Sequence, residues 1–160
     1  MRRLRRIEDG FTFVELLVVA ALVAILASAV MPLAHVAIQR QKEIELRRDL
    51  RDLRTAIDHY KDAADGGQIP ATSVRAGSEG YPPDLETLVN GVETAGGQNG
   101  TTMLKFLRRI PVDPMTGKAE WGLRAYGDKP DSKSWGGQDV YDVFSKSEGA
   151  ALDGTKYADW

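Results

Sequence analysis

Residues 10–15, Gly10-Phe11-Thr12-Phe13-Val14-Glu15, put a small residue, an aromatic and one carboxylate at the head of an otherwise uncharged apolar run. From Leu16 to Ile38 the chain carries no Asp, Glu, Lys or Arg, and that length suits an α-helix crossing the hydrocarbon core of a bilayer. Glu15 is the exception that sets the reading. A carboxylate inside such a helix costs about 2.5 to 3.5 kcal/mol on insertion scales and is retained where a cation offsets that cost. A peptidase cut between Gly10 and Phe11 supplies one. The new α-ammonium group lies about one helical turn from Glu15, suited to pairing within a subunit or between packed subunits.

Residues 1–9 differ in kind from the apolar run. Arg2, Arg3, Arg5 and Arg6 form a basic leader that the positive-inside bias keeps in the cytoplasm, so the cut is expected on that side. Ala27-Ser28-Ala29 offers the alternative of a conventional secretory cleavage beyond the apolar core. That cut leaves Glu15 unexplained and interrupts a helical pattern that continues past Ala29. A further alternative is an uncleaved anchor with Glu15 in the headgroup zone.

The run Gly10-Phe11-Thr12-Phe13-Val14-Glu15-Leu16-Leu17 resembles the class III signal of type IV pilins and type II secretion pseudopilins. The resemblance implies that a prepilin peptidase cuts after Gly10, that Phe11 becomes the N-methylated N-terminus, and that Glu15 guides assembly. Pro32 stands where many of these proteins carry a helix-loosening proline. Phe13 departs from the usual aliphatic residue but remains apolar.

Composition bounds the rest. At 160 residues, 42% apolar and 28% charged, the chain has room for one membrane helix and one modest globular domain. Net charge is −2 from 21 basic and 23 acidic residues; without residues 1–10 the balance becomes 17 against 21, or −4. A mildly acidic domain lacks the basic face of a general phosphate-backbone binder, so nucleic acid is not an expected partner. There is no cysteine, hence neither a disulfide nor a thiolate metal site. Many type IV pilins close their C-terminal loop with a disulfide, so this absence favours the pseudopilin branch of the resemblance.

Beyond Ile38 the sequence turns polar at Gln39-Arg40-Gln41-Lys42-Glu43, yet apolar residues continue at Ile44, Leu46, Leu50, Leu53, Ile57 and Tyr60, the last five at spacings of 4, 3, 4 and 3. That is one stripe of an amphipathic helix, so the helix is expected to continue out of the membrane. Glu43/Arg47, Arg48/Asp52 and Arg54/Asp58 are predicted i, i+4 pairs on its other faces. Asp65-Gly66-Gly67 is the stop signal. Pro32 within this helix removes a hydrogen bond, giving either a bend or a site of functional unwinding. His35 and His59 lie too far apart to share a site.

Residues 68–80 and 96–100 read as loops, and the second is too irregular to cradle phosphates. A short helix is predicted from Asp84 to Asn90, closed by Gly91, and another from Thr102 to Ile110, ended by Pro111 and Pro114. Trp121–Tyr126 and Val140–Ser145 are strand-like, with a turn-rich stretch between them. An antiparallel pair there would bury its apolar face on the Leu46–Tyr60 stripe. Tyr81-Pro82 and Ile110-Pro111-Val112-Asp113-Pro114 resemble the corresponding segments of G-type pseudopilins.

Asp139, Asp142, Glu148, Asp153 and Asp159 crowd the last stretch of chain among serines and glycines. Oxygen donors on turn residues suit a hard cation such as calcium, and equally make a solvated acidic loop; no EF-hand spacing is present. Asp142-Val143-Phe144-Ser145 and Ala158-Asp159-Trp160 resemble the end of the major pseudopilins, whose intervening loop binds calcium. The resemblance implies Glu148, Asp153 and Asp159 as ligand candidates, although the loop 146–155 departs from the family's Gly-x-Asp-Gly run. Trp160 is expected to pack beneath the loop.

Taken with the resemblance, the expectation is an α+β, pilin-like chain whose long N-terminal helix, transmembrane in its first half, packs on a small antiparallel sheet. Residues 1–10 would be the leader, 11–38 the transmembrane and assembly helix, 39–65 its amphipathic half, and 66–160 a periplasmic head. The implied role is structural, not enzymatic: a homo-oligomeric helical filament anchored in the inner membrane, with minor pseudopilins and an inner-membrane secretion platform as partners. A type IV pilin subunit and a membrane-anchored calcium- or ligand-binding domain are the alternatives.

Overall fold

The computed structural model describes residues 10–94 and 102–160, with the side chains of 29–33 also outside the described set. The basic leader, the loop at 96–100 and the Pro32 side chain therefore fall outside it. The chain divides into two units, residues 1–38 and 39–160. Helix α1, Phe13–Asp65, begins in the first and ends in the second.

In the first unit every large apolar side chain from Phe13 to Leu26 is at least half exposed. A helix that is apolar all round needs cover from lipid or from neighbouring chains. Ser28 satisfies its hydroxyl internally, with Oγ donating to the Ile25 carbonyl at 2.7 Å. Among the described residues no helix is long and apolar enough to cross a membrane. The described side chains break off at Ser28 and resume at Ala34, inside the segment 11–38 that the sequence assigns to the span.

The second unit is built on the predicted stripe. Leu46, Leu50, Leu53, Ile57 and Tyr60 are all buried, whereas Ile44, off that spacing, is 64% exposed. α1 ends in a Schellman turn: Gln68 N donates to the Ala63 carbonyl at 2.9 Å and Gly67 N to that of Ala64 at 3.1 Å. Gly67 occupies the left-handed region at φ +69°, which a side chain would strain. Ile69, 2% exposed, then turns back into the core.

Helix α2, Leu85–Asn90, is capped by Asp84, whose carboxylate accepts from Thr87 N and Thr87 Oγ1, both at 2.7 Å. Strands β1, Val92–Glu93, and β2, Met103–Leu104, form an antiparallel pair. The expected helix from Thr102 to Ile110 is corrected here. Phe106 N and Leu107 N donate instead to the Leu88 carbonyl at 3.0 and 2.9 Å, serving an acceptor near the end of α2. The apolar side chains of this stretch serve core contact, with Phe106 against Tyr60 at 5.2 Å.

Strands β3, Trp121–Arg124, and β4, Asp142–Ser145, pair antiparallel, Gly122 facing Phe144 and Arg124 facing Asp142. Trp121, Val140 and Val143 join the α1 stripe in one buried cluster, as the sequence leads one to expect. A 3-10 turn at Tyr157–Asp159 comes last. Ahead of β3, Asp113 is fully buried. It accepts from Met115 N and from Ser145 Oγ, both at 2.7 Å, which ties the Pro111–Pro114 turn to β4.

Candidate functional site

At the N-terminal end, Gly10 and Phe11 are exposed and precede the helix, and nothing lies within 4 Å of where a Cβ on Gly10 would stand. α1 is initiated by Thr12, whose Oγ1 accepts from Glu15 N at 3.2 Å and whose carbonyl accepts from Leu16 N at 3.1 Å. Thr12-Phe13-Val14-Glu15 has the spacing of a capping box. Glu15 is exposed in the first turn, where the helix dipole favours a carboxylate. Sequence reasoning misses the capping role of Thr12, although that spacing signals it. Ala27 and Ser28, the alternative cut site, lie well inside α1.

At the other end, the loop 146–157 is laid against α1. Glu43 Oε1 accepts from Leu152 N at 2.9 Å, from the Tyr157 hydroxyl at 3.0 Å and from Gln39 Nε2 at 3.2 Å. Gln39 Nε2 also lies 3.0 Å from the Tyr157 hydroxyl and 3.2 Å from the Ala150 carbonyl. Four residues on, Arg47 reaches Asp153 Oδ2 at 3.5 Å, and its guanidinium sits 3.8 Å above the Trp160 ring. Asp153 Oδ1 accepts from Thr155 Oγ1 at 2.6 Å and Thr155 N at 2.9 Å. The Thr155 bonds, with the Arg47 charge behind them, hold the Asp153 carboxyl below the usual carboxylate range. Trp160 does pack on the loop, donating from Nε1 to Thr155 Oγ1 at 2.7 Å and standing edge-on to Tyr157.

Of the three predicted pairs along α1, Arg48–Asp52 forms, at 4.0 Å. The other two are redirected by tertiary partners: Arg47 and Glu43 serve the loop, and Arg54 serves the sheet. Arg54 Nε donates to Asp142 Oδ1 at 2.7 Å, while its Nη2 reaches the Val143 carbonyl at 3.1 Å and the Trp160 main-chain oxygen at 2.7 Å. Arg124 Nη1 holds the other Asp142 oxygen at 3.1 Å, and its guanidinium covers the Phe144 ring at 4.2 Å. A partly desolvated carboxylate with several donors outcompetes an exposed neighbour one helical turn away.

The three ligand candidates are not gathered. Glu148, Asp153 and Asp159 are exposed, and Asp153 has both oxygens engaged by Thr155 and Arg47. Among the described residues no three His, Cys, Asp or Glu side chains converge on a point that could hold a metal ion. The described side chains around the loop thus form no shared carboxylate cradle.

Residues 5–31 match the family model of the prokaryotic N-terminal methylation motif. The chain is similar to the type II secretion system core protein G of Pseudomonas aeruginosa, 30% identical over 112 residues that cover 69% of this chain and 70% of that protein. No solved structure matches the chain. With the methylation motif at its head, the long helix and small antiparallel sheets behind it, and this relative across more than two thirds of both lengths, the chain belongs to the family of the type II secretion system core protein G, the pilin-like pseudopilins.

Proposed function

We propose that the chain is a structural subunit of a type II secretion pseudopilus. A prepilin peptidase removes residues 1–10, Phe11 is methylated, and the first half of α1 anchors the subunit in the inner membrane by a single pass, N-terminus cytoplasmic and head periplasmic. Subunits then join through these helices into a periplasmic filament that drives protein export, together with minor pseudopilins and the inner-membrane platform. No catalytic step is assigned to it. One observation carries the reading. Glu15 is the sole Asp, Glu, Lys or Arg of residues 10–38, and it stands exposed in the first turn of α1, close to the new terminus. There a neighbouring subunit's α-ammonium group offsets its cost in the membrane.

The test is the mass of the mature protein. A chain beginning at methylated Phe11, and a Gly10→Val variant that stays in the membrane with its leader attached, are the expected results. A mature chain beginning at Met1 or Val30 removes the basis of the proposal.

A further inference from the structure

We propose that this chain fastens its C-terminal loop to α1 through Glu43 and Arg47, and that the fastening takes no calcium. The polarity of the contact carries the inference. A calcium site is a point on which oxygen lone pairs converge, six to eight of them. Here the convergence is the reverse. One carboxylate oxygen, Glu43 Oε1, is the centre, and the Leu152 N–H, the Tyr157 O–H and the Gln39 amide N–H are directed at it at 2.9 to 3.2 Å. A cation placed there would face those hydrogens.

The positive charge that the acidic loop needs is supplied by Arg47, one turn along the same helix face, between Asp153 at 3.5 Å and the Trp160 ring at 3.8 Å. Asp153 is turned back on Thr155 by two further bonds, at 2.6 and 2.9 Å. The loop closes on itself as well, with Ala151 N donating to the Thr155 carbonyl at 2.8 Å and Ala150 bridged to Lys156. A carboxylate and a guanidinium at i and i+4 of α1 thus perform what a bound ion would otherwise do, Glu43 joining the loop to the helix through charge-assisted hydrogen bonds and Arg47 through an ion pair with Asp153. This concerns the head alone and stands apart from the filament reading.

The experiment uses the full chain in detergent micelles, with trypsin cleavage after Lys146 and Lys156 read by mass spectrometry and melting temperature recorded in parallel. For the parent protein, millimolar calcium chloride and a chelator should give the same melting temperature and the same cleavage rates. Glu43→Gln and Arg47→Ala should each be cut after Lys156 about tenfold faster, equivalent to about 1.4 kcal/mol in loop closure. Cleavage after Arg108 serves as the control for the remainder of the head. A calcium-dependent rise in the parent's melting temperature, or calcium protection of its loop, overturns the proposal; so does parental loop cleavage in both variants. The calcium comparison needs only the parent, so it decides even where a variant fails to fold.

Discussion

Arg54 of α1 donates from Nε to Asp142 of β4 at 2.7 Å, and Asp142 in turn accepts from Arg124 of β3 at 3.1 Å. One carboxylate therefore ties the helix to both strands of the pair. Its side chain is 24% exposed and that of Arg54 38%, so the bonds are partly screened. Asp142→Asn leaves two guanidinium groups with a neutral partner and should lower stability by about 1 to 3 kcal/mol, read as a shift in denaturant midpoint. Asp58→Asn, at the carboxylate that the sequence pairs with Arg54, should leave the midpoint unchanged.

Gly122 faces Phe144 across β3 and β4, and a Cβ on Gly122 would stand 2.3 Å from the ring carbons. The ring is 5% exposed and also covered by the Arg124 guanidinium at 4.2 Å, so moving it away from a new Cβ disturbs that contact. Gly122→Ala should cost about 1 to 3 kcal/mol through overpacking. Adding Phe144→Leu should recover part of that loss, and a double-mutant cycle of thermal melts that showed simple additivity would refute the contact.

Asp139 is buried at 2% exposure and accepts from Tyr126 N at 2.8 Å, and among the described residues it forms no ion pair. Burial pushes its carboxyl above the ordinary 3.8, against the lowering effect of the Tyr126 bond. The folded state therefore holds its proton to higher pH than the unfolded chain does. The associated stability is full below pH 3.8 and is lost as pH rises through the folded value. Asp139→Asn should melt higher than the parent at neutral pH, with the difference vanishing toward pH 3. A neutral-pH melt at or below the parent's contradicts this.

Glu15→Val removes the one carboxylate of the apolar run and makes membrane insertion easier by about 3 kcal/mol. The variant should insert and be processed yet assemble poorly. Crosslinking of subunits in membranes measures this, and a ladder of parental intensity from Glu15→Val would end the pairing hypothesis.

Periodicity makes much of this architecture legible. The 4, 3, 4, 3 spacing from Leu46 to Tyr60 identifies the buried face of α1, and Asp84 with Gly91 marks the ends of α2, because both signals are local. Thr102–Ile110, ended by Pro111 and Pro114, misleads because Phe106 N and Leu107 N donate to Leu88, distant in sequence. The pairing of Arg54 with Asp58 fails for the same kind of reason: a partner one turn away is visible in the sequence, and one on β4 is not. At the N-terminal end the motif residues stand out by composition, since one carboxylate in an apolar run is conspicuous. Glu43 does not, because its three donors come from Gln39, Leu152 and Tyr157 and no local rule gathers them.

The start of α1 has a consequence for maturation. Among the described residues the first helical hydrogen bonds run from Glu15 N and Leu16 N to acceptors on Thr12, downstream of the Gly10–Phe11 bond. A cut at that bond would leave both of these bonds in place. The precursor and its product would share the start of α1 and the head, and differ in the leader of residues 1–10 and in the new terminus. Processing would then act as a licence to assemble and not as a refolding step, and precursor could accumulate fully folded while it waits for the peptidase.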